Sequence, residues 1–394
     1  MDVDQVIIQS RRCRPEAALA TPPAADNRRL PSHASTMTIS QRPSAVSPPL
    51  TERISHLQHL RAIAALMVLL QHSQFLHHPD WIGSVFGGLG IDLFFVISGF
   101  VIFWVTRNET SFRRYLLRRI IRIVPLYWML TLLMAALVLL APQLFKQTIF
   151  DLWHFIKSLA FIPSFTPSRP DEITPLLPPG WTLNYEFFFY LSFGLIFFLP
   201  GNRTFRLAIF TVLFFGLVIA GKILAPAGAM GRVYTSPLLL EFLAGVWIGV
   251  WINGSSAVPG KGVALALLLA GWLALLFEPL LFGWGALVGT SMVVLGAVAL
   301  ERELRVQSRL LEFLGDASYS IYLTHVFTIG ALKQVWVRLP FRSDMPFEAA
   351  AFMVLAIVLS TCAGALVYLY VERPVLRFLN RVLQPGRNGT GTVT

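Results

Sequence analysis

Five ionisable side chains fall inside otherwise apolar stretches of this chain: His72, Asp92, Glu186, Glu241 and His325. Each costs several kcal/mol in a hydrocarbon surround unless it is paired or hydrated, so each is a candidate for chemistry. A histidine beside a carboxylate is a workable general base, because the carboxylate fixes the imidazole tautomer and stabilises its protonated form. His72, Glu186 and Asp92 form the catalytic set on that reading. Taken singly, each could equally be a hydrogen-bonding bridge between helices, and His72 alone does not decide between the two. Glu241 has no assigned role.

Composition says what must hold these groups. The chain is 55% hydrophobic and 13% charged, with a mean hydropathy of +0.64. Soluble domains carry about 25% charged residues, so this apolar surface belongs against lipid rather than in one water-facing core. Stretches long enough to cross a bilayer fall at about 57–76, 85–105, 122–141, 181–199, 205–223, 233–251, 262–278, 283–300, 317–337 and 348–370. The expected fold is an all-α integral membrane protein of about ten transmembrane helices. With both termini cytoplasmic, inner loops and tails take 24 of the 32 basic residues, and Arg107 to Arg122 alone supplies six. The net charge of +11 then reads as topology and headgroup contact, not nucleic-acid binding.

Residues 1–52 are expected to be a disordered cytoplasmic tail, 53–378 the membrane domain, and 379–394 a flexible cytoplasmic tail. The tail has no apolar core before a small-residue cleavage site, so it is not a secretory signal, and Met37 is an alternative start to Met1. Cys13 and Cys362 offer no disulfide or zinc framework, and no metal is expected. The expected outer loop 142–180 holds an amphipathic run (Phe150, Trp153, Phe155, Ile156, Leu159) suited to the membrane interface.

The helix directions set depth. The first runs outward, so His72 lies in its outer half. The second and fourth run inward, which puts Asp92 and Glu186 in the outer half too, and that shared layer favours the functional reading. Arg61 precedes His72 by eleven positions, three helical turns, so both project from nearly one face about 16 Å apart. The run FRRYLLRRIIRIVPLYW (Arg113, Arg114, Arg118, Arg119, Arg122) lies in the next inner loop. Positive-inside anchoring accounts for most of it, yet guanidinium forks also suit phosphate oxygens. A ligand with phosphates at one end of a long thin reactive arm fits that spacing, and coenzyme A has this shape.

Six segments, in order, resemble those of the acyltransferase 3 family of membrane O-acyltransferases: HLQHLRAIAALMVLLQHS, GGLGIDLFFVISGFVIF, RRIIRIVPLYW, GWTLNYEFFFYL, LGDASYSIYLTH and YVERP. The fourth is in the form of the exopolysaccharide-modifying branch. The resemblance covers nearly all of residues 54–378. It implies transfer of an acyl group, usually acetyl from acetyl-CoA, to a hydroxyl of an extracytoplasmic glycan or sometimes of a small molecule. It makes His72 the catalytic histidine, Arg61 its motif arginine, and Arg119 and Arg122 the basic run that would hold the donor. It matches Glu186 and Asp92 to the family's glutamate and aspartate. His325, Trp181 and Tyr190 are candidates for lining the acyl channel or acceptor site. For His325 a bridge between helices, and for Trp181 interfacial anchoring, are the competing readings. The implied partners are a glycan or lipid-linked glycan, membrane lipids and other glycan-assembly proteins, in the bacterial inner membrane.

Two departures stand out. Many members carry a C-terminal esterase-like domain, whereas this sequence stops at Thr394; and Glu186 is followed by Phe187 and Phe188 where many members are more polar, so the acceptor pocket is expected to differ. Ser98-Gly99 and Gly87, Gly88 and Gly90 read as close helix packing. Ser318, Tyr319 and Tyr322 are expected to start and cap the ninth helix, and Glu372 to pair locally with Arg373. A secondary transporter or glycan flippase using the buried charges as a proton relay is the rival from another class, although the chain shows no two similar halves. A macrolide, lipid or peptidoglycan acceptor is the nearer alternative.

Overall fold

The computed structural model describes residues 54–74, 83–145, 148–254, 258–277, 284–339 and 346–383, so the expected tail 1–52 lies outside the described residues. Among them the architecture is all-helical, with one isolated bridge between Thr166 and Arg169. In chain order the helices are α1 (Ser55–His72), α2 (Gly83–Thr106), α3 (Phe112–Leu140), α4 (Leu152–Leu159), α5 (Trp181–Gly194), α6 (Arg203–Leu224), α7 (Ala229–Tyr234), α8 (Leu239–Gly254), α9 (Lys261–Leu276), α10 (Gly285–Glu303), α11 (Arg309–Trp336), α12 (Pro346–Val367) and α13 (Arg373–Leu383).

Six segments are long and apolar enough to cross a membrane: Gly88–Thr106, Phe112–Leu140, Arg203–Leu224, Ala229–Gly254, Gly285–Glu303 and Phe347–Leu383. Their outward faces suit lipid, with Leu139, Leu140, Val212 and Ile223 all exposed. The other expected stretches are helical as well, but α1 and α11 carry histidines and other polar groups, and α5 and α9 are short.

Several boundaries differ from expectation for local reasons. The arginine run is not a loop but the first turns of α3, capped by Ser111, whose side chain accepts from the Arg114 N–H. In the same way Ser308 caps α11 by accepting from the Leu311 N–H. Ser318, Tyr319 and Tyr322 are therefore mid-helix rather than at its start. α13 runs to Leu383, into the stretch expected to be a flexible tail. The amphipathic run of the long loop is α4, capped by Asp151, with Leu152, Trp153 and Ile156 exposed and His154 and Ser158 buried on the other side. Burial lowers the His154 imidazole below its ordinary value, with Asp151 opposing the shift. Tyr127 and Trp128 of α3 donate to the Ser158 and Leu159 carbonyls at 2.9 Å, which ties this loop to the bundle.

The core forms where α1 and α2 meet each other, α1 packs on α11, α2 on α8, and α11 on α12. Glycine permits the closest of these approaches. A Cβ on Gly99 would stand 1.9 Å from the Phe242 carbonyl oxygen, and one on Gly245 would stand 2.0 Å from that of Val96, so α2 and α8 touch backbone to backbone. Gly90 packs in this manner on α1, but Gly88 faces open space, and the surroundings of Gly87 are outside those described.

Candidate functional site

The polar groups expected in one layer fall into three separate places. His72 is the last residue of α1 and is exposed. Its Nδ1 lies 2.9 Å from the Val68 carbonyl oxygen one turn back. A carbonyl only accepts, so in the neutral ring Nδ1 bears the proton and Nε2 keeps its lone pair. The expected orienting carboxylate is therefore replaced by a backbone carbonyl. The ring lies 4.8 Å from that of His325, centroid to centroid, tilted by 59°. His325 is buried in mid-α11, with its Nδ1 held by the Tyr322 carbonyl and its Nε2 without a hydrogen-bond partner. Two histidines, each fixed by its own helix, thus form a close pair.

Asp92 goes elsewhere. It is buried and hydrogen-bonded to Glu241 across the α2–α8 contact. Nothing in the sequence flagged this, since the two residues come from helices far apart in the chain and Glu241 had no role of its own. Two carboxyl groups in a hydrogen bond must share a proton, so the pair is a polar tie inside the apolar core.

Glu186 faces a third place, a cavity of about 1450 Å³. That is above the usual range of about 300–1,000 Å³ for a small-molecule site. Ten arginines and three carboxylates line it, the carboxylates being Glu109, Glu186 and Asp316. Lining residues run from Arg381 on α13, through the loop between α2 and α3, to Phe94, Thr182 and Tyr322 in the middle of the bundle. Glu186 accepts from Ser98 Oγ at 3.0 Å and from the Tyr190 hydroxyl. Arg119 lies over the Tyr190 ring, 5.6 Å from its centroid. Arg61 lies within electrostatic reach of Arg122, Asp316, Glu372 and Glu186. So Arg61, Arg119, Arg122, Glu186 and Tyr190 are brought together, while His72 and His325 are not part of this wall.

Arg122 is not an unengaged phosphate ligand. It forms an ion pair with buried Glu372, which also accepts from Ser320 Oγ at 2.5 Å, and it lies over the Tyr319 ring. The expected local pair of Glu372 with Arg373 gives way to this contact across 250 positions. The Tyr319 hydroxyl donates to the Ile123 carbonyl at 2.8 Å, and that of Tyr322 to the Pro179 carbonyl at 2.9 Å. These tyrosines join α11 to α3 and to the turn before α5, and both line the cavity. Tyr322 also touches the histidine pair, its ring 5.9 Å from His325 and 6.1 Å from Phe94. The cavity and the histidines are thus one aromatic layer apart. Trp181 opens α5 edge-on to Tyr185, 5.8 Å away, and is half-buried. Phe187 stacks on Phe161 at 4.5 Å and Phe188 on Tyr234 at 4.3 Å, so both are packing residues and not cavity lining.

Sequence comparison matches residues 54–369 to the family described as Acyltransferase domain. An exopolysaccharide production protein, ExoZ, of Rhizobium meliloti is 39% identical over 303 residues, 74% of this chain and 90% of that protein. The acyltransferase MdmB of Streptomyces mycarofaciens is 27% identical over 376 residues, 85% of this chain and 94% of its own length. The peptidoglycan O-acetyltransferase OatA of Listeria monocytogenes is 25% identical over 309 residues, and this chain spans only 48% of it. No solved structure matches the chain.

Proposed function

Since the chain belongs to this acyltransferase 3 family and is a multi-pass membrane protein, we propose that it moves an acyl group, acetyl first, from acyl-CoA to a glycan hydroxyl. The acceptor is an extracytoplasmic exopolysaccharide or its lipid-linked precursor, and the protein sits in the bacterial inner membrane. An exopolysaccharide is preferred to peptidoglycan because the exopolysaccharide relative is more similar, 39% against 25% identical, and is matched along 90% of its length rather than 48%. The proposed topology is ten crossings with both termini cytoplasmic.

The observation that carries the reading is the arginine-lined cavity that reaches to within one aromatic layer of the histidine pair. Phosphates of the donor engage Arg61, Arg119 and the arginines around them, and the uncharged pantetheine arm extends toward Phe94 and Tyr322. His72 Nε2 takes the proton of the acceptor hydroxyl as its oxygen attacks the thioester carbonyl carbon. The tetrahedral intermediate then collapses with cleavage of the C–S bond, and the imidazolium returns its proton to the departing thiolate. Ester and free CoA thiol are the products, and no group is left over. An acyl-histidine intermediate is the competing route. Glu186 belongs to the donor cavity, where it braces Tyr190 and Ser98, and Asp92 serves the helix contact.

Purified protein in proteoliposomes, given acetyl-CoA and fragments of the surface polysaccharide, should release free thiol in proportion to ester formed on the glycan. Transport of glycan without thiol release would overturn the reading in favour of a flippase.

A further inference from the structure

Resting on that donor reading, we propose that α13 is the wall that recognises the nucleotide end of the donor, with Arg373, Arg377 and Arg381 binding the phosphates farthest from the thioester, the ribose 3′-phosphate among them. The three arginines recur every fourth residue, so they share one face of the helix over about 12 Å. All three line the large cavity. Among the described residues no ion pair or side-chain hydrogen bond engages any of them, whereas Arg114 and Arg118 are held by Glu109 and Arg122 by Glu372. These guanidinium groups are therefore available to an incoming anion.

The orientation of α13 is built in. A π-helical turn at Tyr368–Glu372 joins it to α12, and Pro374 lies in its first turn. Glu372, inside that turn, is anchored to Arg122 and Ser320, and Leu376 is buried beneath the helix. α13 also packs against α3, which brings its arginines to the cavity that the α3 arginines line from the other side. A helix that only rested on anionic headgroups would need neither the buried anchor nor the inward stripe. Coenzyme A carries a pyrophosphate and a separate 3′-phosphate at the end remote from its sulfur. A row of forked donors over about 12 Å suits several spaced phosphates better than one.

The test uses full-length protein in nanodiscs of phosphatidylcholine, comparing acetyl-CoA with its 3′-dephospho form. For Arg377→Gln and Arg381→Gln the KM for acetyl-CoA should rise about tenfold for each arginine removed, with kcat little changed. The wild-type preference for the 3′-phosphorylated donor should fall toward unity in the double variant. Both side chains are exposed, so the fold should persist, and an unchanged thermal midpoint checks this. Unchanged KM for both donors would overturn the proposal. So would an effect seen only as altered dependence on added phosphatidylglycerol, which would make α13 a lipid-headgroup site. A wild-type protein that neither binds CoA nor releases it would remove the donor reading itself, an outcome distinct from unaltered KM in active variants.

Discussion

The Arg122–Glu372 pair supports a double-mutant cycle with predictable size. The Glu372 side chain is 2% exposed and, among the described residues, is engaged by Arg122 and Ser320, while that of Arg122 is 24% exposed at the cavity. Removing one partner of a fully buried pair costs roughly 3–5 kcal/mol. Here water in the cavity can reach the guanidinium, so Arg122→Ala, which strands the buried carboxylate, should cost about 2–3 kcal/mol. Glu372→Gln strands the more hydrated cation and keeps an oxygen for Ser320, so about 1–2 kcal/mol is expected. The double variant should lose clearly less than the two together, with a coupling of about 1.5 kcal/mol. Thermal unfolding of all four proteins in the same detergent, followed by tryptophan fluorescence, would read these as midpoint shifts of a few °C. Strict additivity, within about 0.5 kcal/mol, would refute the pair and with it the anchor that aims α13.

His72→Ala should lower acyl transfer by about 10²–10⁴-fold while leaving membrane insertion and thermal midpoint near wild type; activity above a tenth of wild type would exclude the general-base role. Arg61→Ala should raise the KM for acyl-CoA more than it lowers kcat, because its contact is with phosphates remote from the reacting carbon, and a change confined to kcat would place it at the chemistry. In a background without Cys13 and Cys362, a cysteine at Asp171 should react with an impermeant maleimide in intact cells and one at Asn108 only after lysis. Reversed labelling would turn the topology over and end the transmembrane donor path.

Much of the architecture was legible because hydrophobic runs and capping residues are local. The helices of the bundle, the amphipathic run at α4 and the arginine cluster before Pro125 follow from residues within a few turns of one another. Pairings of buried charge were not legible, since they depend on which helices touch. Asp92 could be seen as costly in an apolar span, but not that Glu241 would meet it where Gly99 and Gly245 let two backbones close up. Glu372 beside Arg373 looked like a local pair, and only the fold brings Arg122 to it. The tautomer of His72 has a local signal in the sequence. A histidine on the last turn of a helix can donate its Nδ1–H to the i−4 carbonyl oxygen without any carboxylate, and the Val68 carbonyl is that acceptor here.

The separation of charge from base also bears on the chemistry. A thioester is exposed to hydrolysis wherever an activated base meets water, and His72 lies at the exposed end of α1. Had Glu186 oriented His72 directly, the arginine cavity and the base would have formed one wet chamber. Instead Tyr322 lies between cavity and histidines, with Phe94 against its ring and hydrogen bonds to Pro179 and Thr182 holding it. On the proposed mechanism this layer admits a thin uncharged arm and turns back hydrated phosphates, because an anion would lose its water there without gaining a partner. The acyl group alone then reaches the base, and donor charge and acceptor hydroxyl never share a compartment. Tyr322→Ala should open that layer, so thiol release in the absence of glycan should rise relative to ester formation. A fall in both together would instead assign Tyr322 to holding the histidine pair in place.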